Sequence, residues 1–190
     1  MKLLSLNRAA SAPLQTLEGE WVHSAIRKRP VDGPVSVGLT GLAGDEQADL
    51  TVHGGLSKAV YAYPSEHYPF WQTVRAQAGV ADWQAALPWG AMGENLSLSG
   101  LLEGQVWLGD RLCFADCEMV VSEPRQPCFK FNAALGFKHA VKLMAQSGYC
   151  GFYLAVHRPG TLCAGEAFRV EPGPREVSIP ELFRLAMRGR

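Results

Sequence analysis

Residues 105–122 read QVWLGDRLCFADCEMVVS, and this stretch decides the fold class. Runs rich in β-branched and aromatic residues, at 105–108, 111–115 and 118–122, are separated by turn residues. Gly109-Asp110 is typical of a tight hairpin turn between the first two runs. Consecutive hairpins predict an antiparallel meander.

Short apolar runs between turn residues recur along most of the chain. Further strands are predicted at residues 2–8, 20–28, 35–40, 59–63, 95–98, 151–156 and 167–171. Helices are few, at 66–78 with Ser65 as cap, at 132–135 with Asn132 as cap, and at 138–147. Because no βαβ alternation is visible, the sequence favours a mostly β fold, with an antiparallel sheet in a closed or nearly closed barrel.

The composition changes after Val170, where Glu-Pro-Gly-Pro is typical of a linker. Ser178 and Glu181 then form a capping box, and the apolar residues that follow fall on one helix face. So short a helix is marginal alone, so it must dock on the barrel or on a second subunit. The sequence therefore predicts a β-barrel domain at 1–171, then a linker and one amphipathic C-terminal helix at 172–190.

Composition and charge exclude several function classes. The 190 residues carry 18 Lys and Arg against 18 Asp and Glu. Nucleic-acid and membrane-surface binders normally need a basic surplus, so neither nucleic acid nor membrane is an expected partner. Apolar runs are too short for a membrane span or a signal peptide, which predicts a cytoplasmic protein. Five cysteines without a Cys-x-x-Cys pair suit neither a disulfide framework nor a structural zinc site.

The loop SEPRQPCFKFN at 122–132 contains the best candidate for a reactive side chain. Cys128 lies between two cations, Arg125 and Lys130, on a turn stiffened by prolines. Cations favour the thiolate, the form that attacks electrophiles, carries sulfur or binds a soft metal. The alternative is a cysteine that only packs in the core, because cysteines are often buried.

Two upstream segments have the residue types that bind anions. Arg27 and Lys28 belong to a run of three cations, and His53 and Lys58 flank a Gly-Gly pair. Glycine lets backbone N–H groups approach a phosphate, and Lys or Arg adds charge-assisted hydrogen bonds. Each segment alone is more often a solvated loop or a plain turn.

Polar side chains also lie on two glycine-rich turns, GLAGD at 41–45 and GAMGEN at 90–95. Short polar side chains on such turns often bond to neighbouring backbone groups. Asp45, Glu94 and Asn95 are therefore expected either to orient nearby cations or to cap their own turns.

Four segments, in this order, resemble the MOSC family and within it the YiiM-like branch. They are GDEQAD at 44–49, HGG at 53–55 with KAVYAYP at 58–64, GENL at 93–96, and PRQPC at 124–128. The similarity spans roughly residues 20–170, so it is far more specific than any single motif. It implies a β-barrel of the pyruvate-kinase-insert type and a bound molybdenum cofactor (molybdopterin), whose pterin carries a phosphate.

The resemblance also implies roles for individual residues. Cys128 matches the single reactive cysteine of the family and would hold the molybdenum, as metal ligand and catalytic residue, or receive sulfur. Cations would meet the phosphate and pterin oxygens, and polar groups would complete the pocket: Arg27, Lys28, Lys58 and Arg125, then His53, Asn95 and Ser122. The branch carries a helical module after the barrel, of which the C-terminal helix would be a remnant. Detoxification and pyridoxal phosphate binding are further associations of the family.

Three functions are compatible with these features. The first is a molybdenum-dependent reductase of N-hydroxylated small molecules, with 6-hydroxylaminopurine-type bases as the class implied by the branch. Its electrons would come from a separate flavin reductase, because the chain has no dinucleotide or flavin fingerprint. The second is a sulfur carrier with a persulfide on Cys128. The third is a non-catalytic binding barrel in which Cys128 is dispensable. A homodimer is a further expectation.

Overall fold

The structure is a computed structural model that describes residues 1–48 and 54–188. Its α-helices are α1 Tyr68–Gln77, α2 Phe129–Leu135, α3 Ala140–Ser147 and α4 Ile179–Met187. Its strands are β1 Lys2–Arg8, β2 Ala12–Gln15, β3 Trp21–Ser24, β4 Arg29–Pro30, β5 Val35–Gly38, β6 Gly41–Leu42, β7 Val60–Pro64, β8 Leu96–Ser99, β9 Arg111–Cys113, β10 Glu118–Pro124, β11 Phe152–Arg158, β12 Gly160–Leu162 and β13 Arg169–Glu171. The prediction of a mostly β fold with few helices is confirmed. None of the described helices has the length and apolar character that a membrane span requires.

Most strands belong to one eight-stranded sheet, in the order β13-β9-β10-β11-β7-β8-β1-β4. Two smaller sheets, β12-β5-β6 and β2-β3, accompany it. The apolar side chains of the central strands are fully or almost fully buried, among them Leu96, Met119 and Leu154. Alternation of apolar and polar residues along β10 sends one set of side chains into this core, as a period of two requires.

The eight-stranded sheet has β13 at one edge and β4 at the other. The segment before β13 nevertheless bonds to the start of β1, which lies next to the opposite edge. The Leu3 N–H donates to the Glu166 carbonyl (2.9 Å), and the Gly165 N–H donates to the Leu3 carbonyl (2.7 Å). These bonds bring the two ends of the sheet together, while closure into a barrel remains a prediction.

The expectation that no βαβ unit occurs was wrong. Strands β7 and β8 pair in parallel, with Ala62 opposite Leu96, and the chain between them passes through α1. Parallel neighbours need such a crossover connection. Trp71 of α1 is fully buried, and its indole N–H donates to the Tyr63 hydroxyl on β7 (2.6 Å), so α1 is anchored directly to this sheet.

The predicted strand at 105–108 and its hairpin at Gly109-Asp110 are also wrong. This segment does not pair with β9; it bonds to the segment before α4 instead. The Leu108 N–H donates to the Val177 carbonyl (3.0 Å), and the Ile179 N–H donates to the Val106 carbonyl (2.9 Å). The apolar run therefore serves as a docking strip for the C-terminal segment.

The helices occur where they are predicted, but two of the three predicted caps are not used. Ser65 lies in a 3-10 turn, Ser65–His67, without a side-chain capping bond. Asn132 lies inside α2, and its side-chain oxygen accepts from Val141 in the first turn of α3 (2.9 Å). The capping box of Ser178 and Glu181 at the start of α4 is confirmed.

Helix α4 packs on its own chain. Ile179 and Phe183 are buried, and Trp107 forms a β-bridge with Ser178. This is the docking that an amphipathic helix of this length requires. The division into a domain at 1–171 and a module at 172–190 remains a prediction.

Candidate functional site

Cys128 lies where β10 gives way to α2. Strand β10 ends at Pro124, and Cys128, in extended conformation, immediately precedes the first residue of α2. Its side chain is half-buried, unlike Cys113, Cys117 and Cys150, which are buried. The thiol is therefore accessible from solvent, as the proline-stiffened loop predicts, and does not merely pack in the core.

The Cys128 thiol borders a cavity of about 100 Å³ that opens to solvent on one side. Segments distant in sequence line it together: 24–26, Lys28, 45–48, Gly54, Lys58, Tyr61, Gly93, Asn95, Arg125, Cys128, Lys130 and Tyr153. Four cationic side chains and two carboxylates, those of Asp45 and Glu46, are among them. The lining is therefore positive on balance, as an anion site requires.

Arg125 forms one wall of this cavity and is only 4% exposed. Its guanidinium carbon lies 4.7 Å from the centre of the Phe131 ring and 5.3 Å from that of Tyr61. One guanidinium nitrogen, Nη1, contacts the Met144 sulfur (3.4 Å). Within residues 1–48 and 54–188, no carboxylate lies at ion-pairing distance from it. A buried cation in such surroundings requires an anionic partner.

Arg125 stays charged in this environment. Burial alone would lower its pKa, but the electrostatic effects of Tyr61, Tyr153 and Cys128 outweigh burial and raise the pKa. Cys128 therefore interacts electrostatically with the Arg125 guanidinium, and both groups border the same cavity.

Lys28 meets the cavity as half of a buried ion pair with Asp45. Their side chains are 8% and 6% exposed. Asp45 also accepts hydrogen bonds from the Ala9 N–H (2.9 Å) and from the Asn95 amide (2.8 Å). Burial lowers the pKa of Lys28, and the charge of Asp45 opposes that shift. The expectation that Asp45 orients a cation is confirmed.

The turn at 90–95 supports this corner of the cavity. A Cβ atom on Gly90 would lie 2.7 Å from the Lys28 carbonyl oxygen, so only glycine allows this approach. Glu94 is fully buried and accepts from the Gly90 N–H (2.8 Å), the Met92 N–H (3.1 Å) and the Ser97 hydroxyl (2.6 Å). The Tyr68 hydroxyl donates to the same carboxylate. Glu94 therefore caps its own turn.

Lys58 and Lys130 line the cavity near Cys128. Lys58 pairs with Glu123 (3.5 Å) and lies 6.0 Å from the centre of the Tyr153 ring. The Lys130 ammonium donates to the His23 carbonyl (3.1 Å), which ties the start of α2 to β3. The contacts of Lys58 with Glu123 and of Lys130 with His23 are partly or fully exposed, and exposed contacts of this kind contribute little to stability.

The structure brings most of the predicted site residues together. Lys28, Lys58, Asn95, Arg125 and Cys128 all line the cavity. Asn95, however, uses its amide within the protein: the nitrogen donates to Asn7 and Asp45, and the oxygen accepts from the Tyr61 N–H. It therefore organises the wall rather than presenting a vacant polar group.

Two of the predicted site residues, Arg27 and Ser122, do not line the described cavity. Arg27 is exposed and does not contribute to the lining. Ser122 is one step removed, because its hydroxyl donates to the Ser57 carbonyl beside Lys58. His53 lies outside the described residues. Tyr153 lines the cavity but was not among the predicted site residues, since an aromatic residue in a strand is first interpreted as core.

A comparison with protein families matches residues 49–169 to the MOSC domain. The chain belongs to this family. YiiM from Escherichia coli is 36% identical over 166 residues, which cover 86% of this chain and 70% of YiiM. A protein named "Reductase" from Gibberella moniliformis is 35% identical over 175 residues, covering 88% of this chain but 29% of that protein. The crystal structure of YiiM from Geobacillus stearothermophilus aligns with a TM-score of 0.77 and 31% identity, over 99% of this chain and 84% of that one. These similarities show a YiiM-like MOSC protein.

Proposed function

We propose that this protein binds a molybdenum cofactor in the cavity and reduces N-hydroxylated compounds there, with 6-hydroxylaminopurine-type bases as the substrate class. The observation that carries the proposal is the pairing of Arg125 and Cys128. A buried guanidinium without a carboxylate partner among residues 1–48 and 54–188 borders the same cavity as an accessible thiol. One group attracts an anion, and the other is a soft metal ligand.

The residues present fit such a cofactor. Arg125, Lys28, Lys58 and Lys130 provide charge for its phosphate and other anionic groups. Cys128 provides the thiolate for molybdenum. Within the described part of the chain, no three His, Cys, Asp or Glu side chains cluster as a metal site of their own. When bound, the cofactor would supply a metal centre that accepts electrons and passes them to the substrate.

The protein's own contribution is binding and orientation. The Asp45–Lys28 pair fixes one cation, and the aromatic faces of Tyr61 and Phe131 hold the guanidinium of Arg125 in place. A preorganised cationic wall stabilises negative charge without rearranging during the reaction.

Redox chemistry is supported by family membership and by the relative named a reductase. Electrons would come from a separate flavin reductase. Cytoplasmic location, a homodimer, detoxification and pyridoxal phosphate binding stay predictions.

The proposed activity is tested with protein made in cells that synthesise the cofactor, with a reduced viologen dye as the electron donor. Wild type is expected to reduce 6-hydroxylaminopurine to adenine, and Cys128→Ala to fall to the background rate, because the metal loses its protein ligand. Cys163→Ala is the matched control, since Cys163 is also half-buried but lies outside the cavity. Full activity of Cys128→Ala would refute the proposal. The sulfur-carrier alternative predicts a different result. Intact mass would then show an added sulfur atom on Cys128 of the wild type, and Cys128→Ala would be inactive because it lacks that sulfur.

A further inference from the structure

The tyrosines around the cavity differ in where their hydroxyl protons go. The Tyr61 hydroxyl donates to the Cys150 carbonyl (2.8 Å), and that of Tyr63 donates to the Tyr149 carbonyl (3.1 Å). The Tyr68 hydroxyl donates to Glu94. Each of these protons is thus committed to an acceptor within the protein, as buried hydroxyl groups normally are.

Tyr153 differs in this respect from Tyr61, with which it shares the cavity lining among residues 1–48 and 54–188. It lines the cavity, with its ring centre 5.3 Å from that of Tyr61, and no acceptor for its hydroxyl proton is found in this part of the chain. Burial raises its pKa, whereas the charge of Arg125 and a side-chain hydrogen bond with Arg125 lower it. A guanidinium can only donate, so Arg125 cannot accept the Tyr153 proton, which is left for another acceptor.

We propose that the Tyr153 hydroxyl donates a hydrogen bond to the N–O oxygen of an N-hydroxylated substrate. When the N–O bond breaks, the same hydroxyl gives its proton to the departing oxygen. This inference rests on the proposed function. It identifies the chemical feature that the site selects, an N–O oxygen, and assigns a proton source for breaking that bond.

The step balances as follows. Two electrons from the external donor and two protons convert R–NH–OH into R–NH₂ and water. The N–O bond breaks, the departing oxygen takes the Tyr153 proton, and the nitrogen takes a proton from solvent. Solvent then returns a proton to the phenolate, whose negative charge is stabilised by Arg125 while it exists.

The other proton-bearing groups of the cavity are less suited to this step. Lys28 is held by Asp45, Lys58 pairs with Glu123, and the Tyr61 hydroxyl already donates to a carbonyl. Tyr153 interacts electrostatically with Arg125, and Lys58 lies 6.0 Å from the centre of its ring. A neutral donor beside a fixed cation is well placed to stabilise charge that develops on an oxygen atom.

Tyr153→Phe removes only the hydroxyl and keeps the ring against Tyr61. Tyr149→Phe is the matched control, because Tyr149 stacks on His67 (3.8 Å between ring centres) outside the cavity. The first readout is binding without an electron donor, so that no turnover occurs. Wild type and Tyr149→Phe are expected to bind 6-hydroxylaminopurine about fivefold more tightly than adenine, and Tyr153→Phe to lose this preference. An unchanged preference in Tyr153→Phe would overturn the proposal.

The second readout varies the leaving group. On 6-hydroxylaminopurine, kcat of Tyr153→Phe is expected to fall about 100-fold, a loss within the range for a missing general acid. On the O-acetylated substrate, the acetate leaves without a proton, so the variant should stay within about threefold of wild type. An equal loss on both substrates would show a merely structural role and overturn the proposal. Failure of the proposed function looks different, because wild type itself would then lack molybdenum and turnover.

Discussion

At the scale of single residues, Arg125 constrains the site most strongly. A buried charge that has lost its partner typically costs about 3–5 kcal/mol. Contacts with aromatic faces return roughly 0.5–2 kcal/mol each, and the Met144 sulfur is a weak acceptor. An anion in the cavity would lower this cost further. An anionic cofactor would supply the missing partner.

Glu94 gives a prediction about pH. Burial raises the pKa of this carboxyl group, while hydrogen bonds from Ser97 and Tyr68 oppose the shift. The folded state therefore holds a proton that the unfolded state releases, over the window from the ordinary value of 4.5 up to the raised folded value. The contribution of Glu94 to the free energy of unfolding should be complete below 4.5 and decline as the pH rises through this window.

Urea denaturation of wild type and Glu94→Gln at a series of pH values measures this effect. As the pH rises, the wild type should lose unfolding free energy relative to Glu94→Gln, because glutamine does not titrate. Glu176→Gln, at an exposed carboxylate, is the control. A pH-independent difference for Glu94→Gln would refute the prediction.

Sequence reasoning finds residues of the site when their chemistry is visible locally. Cys128 and Arg125 lie on one loop, Lys28 belongs to a run of three cations, and Lys58 follows a Gly-Gly pair. Tyr153 could not be found in this way. Its significance depends on its place in the cavity wall and on a hydroxyl group without an acceptor among the described residues, and neither is visible in the sequence. The link between Asp45 and Asn95 was likewise invisible, since it joins side chains 50 residues apart.

At the scale of elements, the glycine turn at 90–93 positions the Lys28 segment. Gly90 has φ +86° and would bring a Cβ atom to 2.7 Å from a backbone oxygen. Gly33 has a similar φ, +75°, but nothing lies within 4 Å of its Cβ position. Alanine at position 33 would therefore meet backbone strain alone, whereas alanine at position 90 would meet backbone strain and a steric clash.

Gly33→Ala should cost about 1 kcal/mol of unfolding free energy, the usual penalty for a left-handed non-glycine residue. Gly90→Ala should cost at least about twice as much and should also reduce bound molybdenum, because the Lys28 carbonyl must move. Urea denaturation and elemental analysis of both variants provide the measurements. Equal losses of stability, with equal metal content, would show that the turn does not support the site.

The elements that could be predicted are those with a clear local pattern. Strands β1 and β10 are seven residues long and rich in apolar residues, and the α4 capping box is explicit. Strands of two to four residues, such as β4 and β6, are too short to show a pattern. The run at 105–108 has the composition of a strand, but its partner is the C-terminal segment, and no local signal specifies that choice.

At the scale of the whole molecule, the cavity tests the fold. Its lining includes the β3–β4 connection, the segment after β6, the segments before β7 and before β8, the β10–α2 loop and β11. The resemblance to the MOSC family implied that cations and polar groups from these distant loops form one pocket. The parallel pairing of β7 with β8 that helps to bring them together depends on the packing of α1, which the sequence pattern did not reveal.

Molybdenum content is the most direct measure of whether Cys128 and the cationic wall form a metal-cofactor site. The protein is produced in cells that make the cofactor, and molybdenum per chain is determined by elemental analysis. Wild type and Cys163→Ala should carry near-stoichiometric molybdenum, whereas Cys128→Ala should carry almost none. Wild-type protein without molybdenum, or a Cys128→Ala variant that retains it, would show that this cavity serves another purpose.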